Sequence, residues 1–449
     1  MNLKISFERA RIIWKLAWPV MFSQLLQTLL QIADMFFISQ IGILEVVSAV
    51  GFSTAILGVI IVFSQLIATG SIALISRRVG EEKHNEVYSI TQQALLLSIM
   101  IGLIIYILTS YISTPLLKGI GASGKVYIYG YNYLKIVLIG IPFMFFNLTG
   151  RAIIQAKGDT KTPMIIFVLM NIINIVFDPI LIYGYGIFPE LGYKGAALAT
   201  LISNIIASLF MLLSIYMKVF MKKIELVVDN FKIDIKTMFK IIKIGFFSAI
   251  QAISRPITGL IMLKIASFTG DNAVAAFTIG GRIFNLVFIL LLGLTTSISV
   301  IIGQNLGRKD IKKAEEFISD SLKMAAVNML IFSLPYFVFS KSIMGIFIDD
   351  IEVIQIGSNY LRIVYLGLFF VIFPSVYGGV FMGAGDTIPP MIASLIANWM
   401  FKLPIAYIFA KVLNMGSNFV WISISISVLI EAIIIIIWFK KGAWKEKIV

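Results

Sequence analysis

Two series of polar residues interrupt a largely apolar sequence at regular intervals. Gln24, Gln27, Gln31 and Asp34 follow one another at spacings of 3, 4 and 3, and Asn171, Asn174 and Asp178 at 3 and 4. On an α-helix such spacings keep a set on one face, so each series forms a polar stripe. An aspartate at the end of a row of amides supports two chemistries. Its carboxylate can take up and release a proton, or its oxygens can join neighbouring amide and backbone oxygens around Na⁺. Asp34 and Asp178 are thus the candidate ion-binding pair, with Asn174 beside them. Pro179 follows Asp178 directly. Its missing N–H frees the carbonyl of Ile175 and predicts a local opening of the helix next to the carboxylate.

The elements that must hold these stripes are membrane helices. Of 449 residues, 59% are hydrophobic and only 13% charged, with a mean hydropathy of +0.97, far outside the soluble globular range. Runs long enough to cross a hydrocarbon core of about 30 Å recur along the chain. Twelve spans are expected: residues 12–39, 46–73, 91–113, 130–150, 163–186 and 194–217, then 241–267, 274–302, 318–340, 357–382, 388–411 and 416–439. Continuous apolar segments of this length satisfy their backbone in lipid only as helices, so the fold class is an all-α integral membrane protein. A carboxylate inside such a helix costs about 2.5–3.5 kcal/mol on insertion scales, which places it toward the protein interior and marks it as functional.

The net charge of +14 does not form a nucleic-acid patch, because the basic residues are dispersed over alternate connections. They precede the first span (Lys4, Arg9, Arg11, Lys15) and follow the second (Arg77, Arg78, Lys83), the fourth (Arg151, Lys157, Lys161) and the eighth (Arg308, Lys309, Lys312, Lys313). Seven lysines lie between Lys218 and Lys243, and further lysines follow the last span. The intervening connections hold only Lys118, Lys125, Lys194, Lys341 and Lys411. This asymmetry predicts cytoplasmic amino and carboxyl termini. The first apolar segment exceeds a signal-peptide core in length and reads as a true span. The absence of cysteine excludes disulfide and thiolate chemistry.

An internal repeat organises the spans. AKGDTKTPM at 156–164 and GAGDTIPPM at 383–391 align Gly158 with Gly385 at an offset of 227 residues. The same offset pairs Gly80 with Gly307, Gln24 with Gln251, Thr69 with Thr296 and Asn171 with Asn398. Two parallel six-helix halves follow: an N-terminal lobe at 1–217, a cytoplasmic linker at 218–240 and a C-terminal lobe at 241–449. Secondary transporters are built on such repeats, with alternating access from rocking of the halves. The acids do not repeat, since the offset carries Asp34 to Ile261 and Asp178 to Ile405. The second half instead holds Arg255, Lys264, Arg282, Arg362, Lys402 and one mid-helix acid, Glu431, which is expected to pair with one of these cations.

Enzymatic readings find no support. GIGASGKV at 119–126 resembles a phosphate-binding loop but ends on Val126 where a hydroxyl is required, and His84 lies in a charged connection. With no metal-ligand cluster and no nucleophile, base and orienter set, neither an enzyme nor a cofactor is expected.

The chain resembles the multidrug and toxic compound extrusion (MATE) transporters over essentially its whole length. The likeness rests on AWPVMFSQLLQTLLQIADMFFISQIG, ATGSIALISRRVGEE, RAIIQAKGDTKTPM, NIVFDPILIYGYG and GVFMGAGDTIPPM, in that order. It implies a V-shaped twelve-helix bundle that exports cationic or amphipathic drugs and toxic organic cations in exchange for H⁺ or Na⁺. Asp34 and Asp178 match the paired acids of the DinF-like branch, and Asn174 and Thr200 resemble their neighbours in its ion site. Pro19 resembles the proline at which the first helix bends. Gln27, Tyr133, Asn147 and Asn171 fall where that branch lines its N-lobe cavity. Acids of the NorM branch on the seventh and tenth helices have no counterpart here. A lipid-linked precursor flippase, related in helix arrangement, is the alternative; it needs a cationic cavity, against which Asp34 and Asp178 argue. Together these readings predict a monomer in a prokaryotic plasma membrane, in contact with lipid and small-molecule solutes.

Overall fold

The computed structural model describes residues 6–220 and 232–447. Among these residues every regular element is helical. Eleven helices are long and apolar enough to cross a membrane, and a bent pair makes a twelfth span. They are α1 (Phe7–Ser39), α2 (Leu44–Gly80), α3 (His84–Gly119), α4 (Gly124–Ile139 joined to Ile141–Ala156), α5 (Lys161–Tyr183) and α6 (Tyr193–Phe220). The second set is α7 (Ile235–Thr269), α8 (Asp271–Gly307), α9 (Ile311–Val338), α10 (Ile351–Ala384), α11 (Ile388–Val412) and α12 (Ser417–Lys440). The 47° bend of α4 falls at Gly140. Pro142 follows two residues later and leaves the Leu138 carbonyl without its helical donor.

Many helices outrun the apolar spans. At about 1.5 Å per residue, the 33 residues of α1 extend to roughly 50 Å, well beyond the hydrocarbon thickness. Turn chemistry, rather than the edge of hydrophobicity, ends them. Arg151, expected in a connection, therefore lies inside α4, its guanidinium 5.3 Å from the centre of the Phe167 ring. Arg77 and Arg78 form the last turn of α2. The opening expected at Pro179 does not occur: α5 continues through it to Tyr183, because proline's φ suits a helix and only one hydrogen bond is lost.

Backbone turns carry the repeat. After α2, Glu82 adopts φ 60° with Glu82 N donating to Val79 O (3.2 Å) and Lys83 N to Arg78 O (3.0 Å). At the offset of 227, Lys309 adopts φ 59° with Lys309 N on Leu306 O (3.1 Å) and Asp310 N on Asn305 O (2.9 Å). This is the two-bond left-handed helix cap, here formed without glycine at both copies. Gly158 and Gly385 end α4 and α10 in the same way, at φ 89° and 75°. Asp159, just after the first of these glycines, accepts from Thr162 N (3.0 Å) and Thr162 Oγ1 (2.7 Å) and pairs with Lys218 (3.1 Å). Burial pushes its carboxyl up, but these donors outweigh that and hold it below the usual carboxylate range.

Two compact units result, and their boundaries differ from those of the repeat. One runs from Phe22 to Gly245; the other joins residues up to Met21 with those from Phe246 onward. Hence α1 and α7 each divide between the units. Of the expected linker 218–240, residues 221–231 lie outside the described residues, and helix α7 begins at Ile235.

Glycines admit the exchanged helix segments. A Cβ on Gly245 of α7 would overlap the Leu66 carbonyl oxygen, and one on Gly70 would overlap that of Ile241. In the other unit a Cβ on Gly293, which stands 227 residues after Leu66, would overlap the Met21 side chain. Hydrogen bonds secure the same segments. Gln93 donates to Lys232 O (2.9 Å) and accepts from Asp234 N (3.1 Å), while its repeat counterpart Asp320 accepts from Arg9 Nε (2.6 Å). Gly245→Ala is expected to destabilise the protein by about 1–3 kcal/mol through overpacking. Gly58→Ala, with nothing within 4 Å of the added methyl, should be neutral. Thermal unfolding in detergent measures both.

Candidate functional site

Asp34 and Asp178 stand in the last turns of α1 and α5. Both belong to the Phe22–Gly245 unit, and the two carboxyl groups meet at hydrogen-bonding distance. Such a contact needs one proton between them. With both groups ionised, neither oxygen of the fully buried Asp178 has a donor among the described residues. A buried carboxylate without a donor is a costly arrangement, and a proton or a cation relieves it.

Asn174, one turn before Asp178 on the same face of α5, ties the pair to α6. In the amide orientation that matches donors with acceptors, its nitrogen donates to Asp34 Oδ1 (2.8 Å) and its oxygen accepts from Thr200 N (3.1 Å). The network continues along α6 and into α4. Asn204 donates to Thr200 O (2.8 Å), Asn147 donates to Asn204 O (3.0 Å), and Ser208 also donates to Asn204 O (2.9 Å). Tyr183 at the end of α5 donates to Phe37 O of α1 (3.1 Å), which pins the helix ends that carry the two acids. Tyr133 is buried within electrostatic reach of both carboxyls.

The sequence-derived candidates thus divide. Asp34, Asp178, Asn174, Thr200, Tyr133 and Asn147 share one neighbourhood. Asn171 is buried in the same unit with its amide atoms unpartnered among the described residues. Gln27 is half-buried on α1, two turns before Asp34. Pro19 is buried in the part of α1 that belongs to the other compact unit, and α1 runs through it as one helix. Asn204 and Ser208 were not anticipated. Ser-Asn on an apolar helix carries little signal alone, but the spacing Thr200, Asn204, Ser208 is a polar stripe of the kind seen on α1 and α5.

The Asn174 nitrogen faces Asp34 while its oxygen accepts from Thr200 N, so the oxygen turns away from Asp34. The oxygens left for a cation are those of Asp34 and Asp178. Among the described residues no cluster of three or more acidic, histidine or cysteine side chains exists that could hold a metal ion.

In the C-terminal unit, Glu431 lies within electrostatic reach of Arg255 and Lys402. Lys402 donates to Asn398 Oδ1 rather than to Glu431.

Comparison with known proteins follows the same division into halves. A protein-family model described as MatE matches residues 19–180 and again 247–408. The "Probable multidrug resistance protein NorM" of Thermotoga maritima is 26% identical over 437 residues, covering 97% of this chain and 93% of that protein. A solved structure described as an "Outward-facing conformation of a multidrug resistance MATE family transporter of the MOP superfamily" superposes with a TM-score of 0.87. It is 26% identical, with 98% of this chain and 97% of the other covered. Another, a MATE protein "in the bent conformation", gives a TM-score of 0.89 at 26% identity, covering 98% and 96%.

Asp178→Asn supplies the donor that the acid pair lacks and should hold or raise the thermal midpoint. Asn174→Leu removes one partner each from Asp34 and Thr200 and should cost about 1–3 kcal/mol. Thermal unfolding of the two variants checks this, and an equal drop in both would contradict the contact between the acids.

Proposed function

The chain belongs to the MatE family of membrane transporters, and from that premise we propose that it exports cationic or amphipathic organic compounds by antiport, with Asp34 and Asp178 as the coupling site. One observation carries the reading: two carboxyls of a membrane-embedded unit approach each other, and neither oxygen of Asp178 has a donor among the described residues. Ionisable groups in such positions mark ion pathways. Of the two coupling ions, H⁺ suits the site better. A proton satisfies the contact between the acids, whereas the Asn174 oxygen that would complete a Na⁺ shell is engaged by Thr200 N. The DinF-like likeness of the acid pair agrees with this assignment.

An ion taken up from outside neutralises the acid pair, and the pair then tolerates a drier, tighter packing of α1 against α5. Because Asn174 and Tyr183 tie α1 to α5, a change of charge at the acids moves the end of α1. Pro19 supplies the point at which α1 bends, and the solute is released outward. Release of the ion into the cytoplasm resets the site. Each charge moved inward gains about 2.3 kcal/mol per 100 mV, enough to drive an uphill solute step. The distribution of lysine and arginine supports cytoplasmic termini and a plasma-membrane location.

Efflux of a xanthene dye from proteoliposomes tests the proposal. A pH gradient without sodium should drive efflux by the wild type, a sodium gradient at equal pH should not, and Asp34→Asn should reduce gradient-driven efflux to background while the protein remains folded. Wild-type efflux by Asp34→Asn would refute the coupling role, and efflux driven by sodium alone would assign Na⁺ instead.

A further inference from the structure

The C-terminal unit holds a second cluster of charge inside its membrane helices, of opposite sign to the acid pair. Lys402 ends the π-helical stretch Ile396–Lys402 of α11, Glu431 lies near the middle of α12, and Arg255 lies in the membrane part of α7. Electrostatic coupling joins all three. Hydrogen bonds order the cluster through neutral side chains. Asn398 donates to Ser394 O (2.7 Å) and Ser394 Oγ (3.3 Å), and Lys402 donates to Asn398 Oδ1. Two cations face one acid, which leaves an excess of one positive charge. The guanidinium of Arg255 is exposed and makes no hydrogen bond among the described residues. Ionisable groups within membrane segments mark solute and ion pathways.

The repeat relates some positions of this cluster to positions of the first site. The offset of 227 carries Asn171 to Asn398, Asn204 to Glu431 and Thr200 to Ser427, so equivalent positions line both units. The charges themselves are not equivalent: Asp34 and Asp178 correspond to Ile261 and Ile405, and Arg255 and Lys402 to Thr28 and Ile175. A π-helical turn is rare and recurs at functional sites, because it rotates the following side chains out of the regular helical face. Here it delivers Asn398, Trp399 and Lys402 together, with Trp399 Nε1 held on Ser254 Oγ (2.7 Å), next to Arg255.

We infer that Arg255 and Lys402 bind an anionic group of the transported solute, so that the exported amphipathic compounds include zwitterions and organic acids bearing a carboxylate, sulfonate or phosphate. Glu431 offsets one of the two positive charges when the solute is absent, and competes with the incoming anion. Arg255 offers the forked donor geometry that suits carboxylate and phosphate oxygens. This inference rests on the exporter reading for its physiological meaning, but binding can be measured without transport.

The test uses a rhodamine with a free carboxylate and its methyl ester, which differ by that one charge. Fluorescence anisotropy gives their affinities for purified full-length protein in phosphatidylcholine nanodiscs. The acid should bind about tenfold or more tightly than the ester, the effect of one hydrogen-bonded charge. Arg255→Gln with Lys402→Gln should abolish the preference. Arg255→Lys should retain much of it, which separates lost charge from misfolding, and Glu431→Gln should strengthen binding of the acid by removing a competitor. Asp34→Asn should leave the preference intact. Equal affinities, no binding of the acid, or a preference that survives the double substitution would overturn the inference. An anionic lipid headgroup could use the same cations: loss of the preference when phosphatidylglycerol is added would assign the site to lipid and overturn the solute reading. Preferential binding of the acid with no gradient-driven flux of either dye would uphold the anion site and defeat the exporter reading. Flux of the ester with unselective binding would do the reverse.

Discussion

Within a bilayer no water is available to complete a polar group's hydrogen bonds, and this constraint governs the molecule. It forces the backbone into helices and makes every ionisable side chain at membrane depth either partnered or purposeful. Most buried hydroxyls here return to the backbone of their own helix, as Ser53 does to Ala49 O and Ser297 to Gly293 O. The acids cannot do so, because a carboxylate has only acceptors. Asp34 finds Asn174; Asp178 finds only Asp34. An unsatisfied acceptor opposite another acceptor waits for a proton, and the proposed coupling role of the pair rests on that.

The same frame carries opposite charge in its two copies. Matching turns at Glu82 and Lys309, and at Gly158 and Gly385, preserve the backbone of the ancestral unit to within a few degrees of φ in the first pair. Side chains facing inward have diverged. Backbone geometry must be kept for the units to pack alike, whereas interior polar positions are free to take whatever charge the local site uses.

The exchange of helix segments also depends on close approach. α1 and α7 each lend residues to both units, and glycines where they cross let backbone meet backbone. A helix divided in this way carries the proposed acid site in one unit and Pro19 in the other.

Hydropathy and period are properties of neighbouring residues, and so the sequence by itself determined twelve membrane helices, a repeat at 227 residues, the polar stripes of α1 and α5, and the asymmetry of the acids. It missed what depends on how far a helix runs past its apolar core, so Arg151 was placed in a loop. It also expected a break at Pro179 that a helix tolerates. Only the tertiary structure decided that Asp34 meets Asp178 across residues distant in sequence, that Asn204 and Ser208 extend the network, that α1 is divided between units at Met21, and that Arg255, Lys402 and Glu431 converge. Stripes say which face of a helix is polar; which faces touch is set by packing between helices, where the sum of many apolar contacts and close glycine crossings outweighs any single local preference.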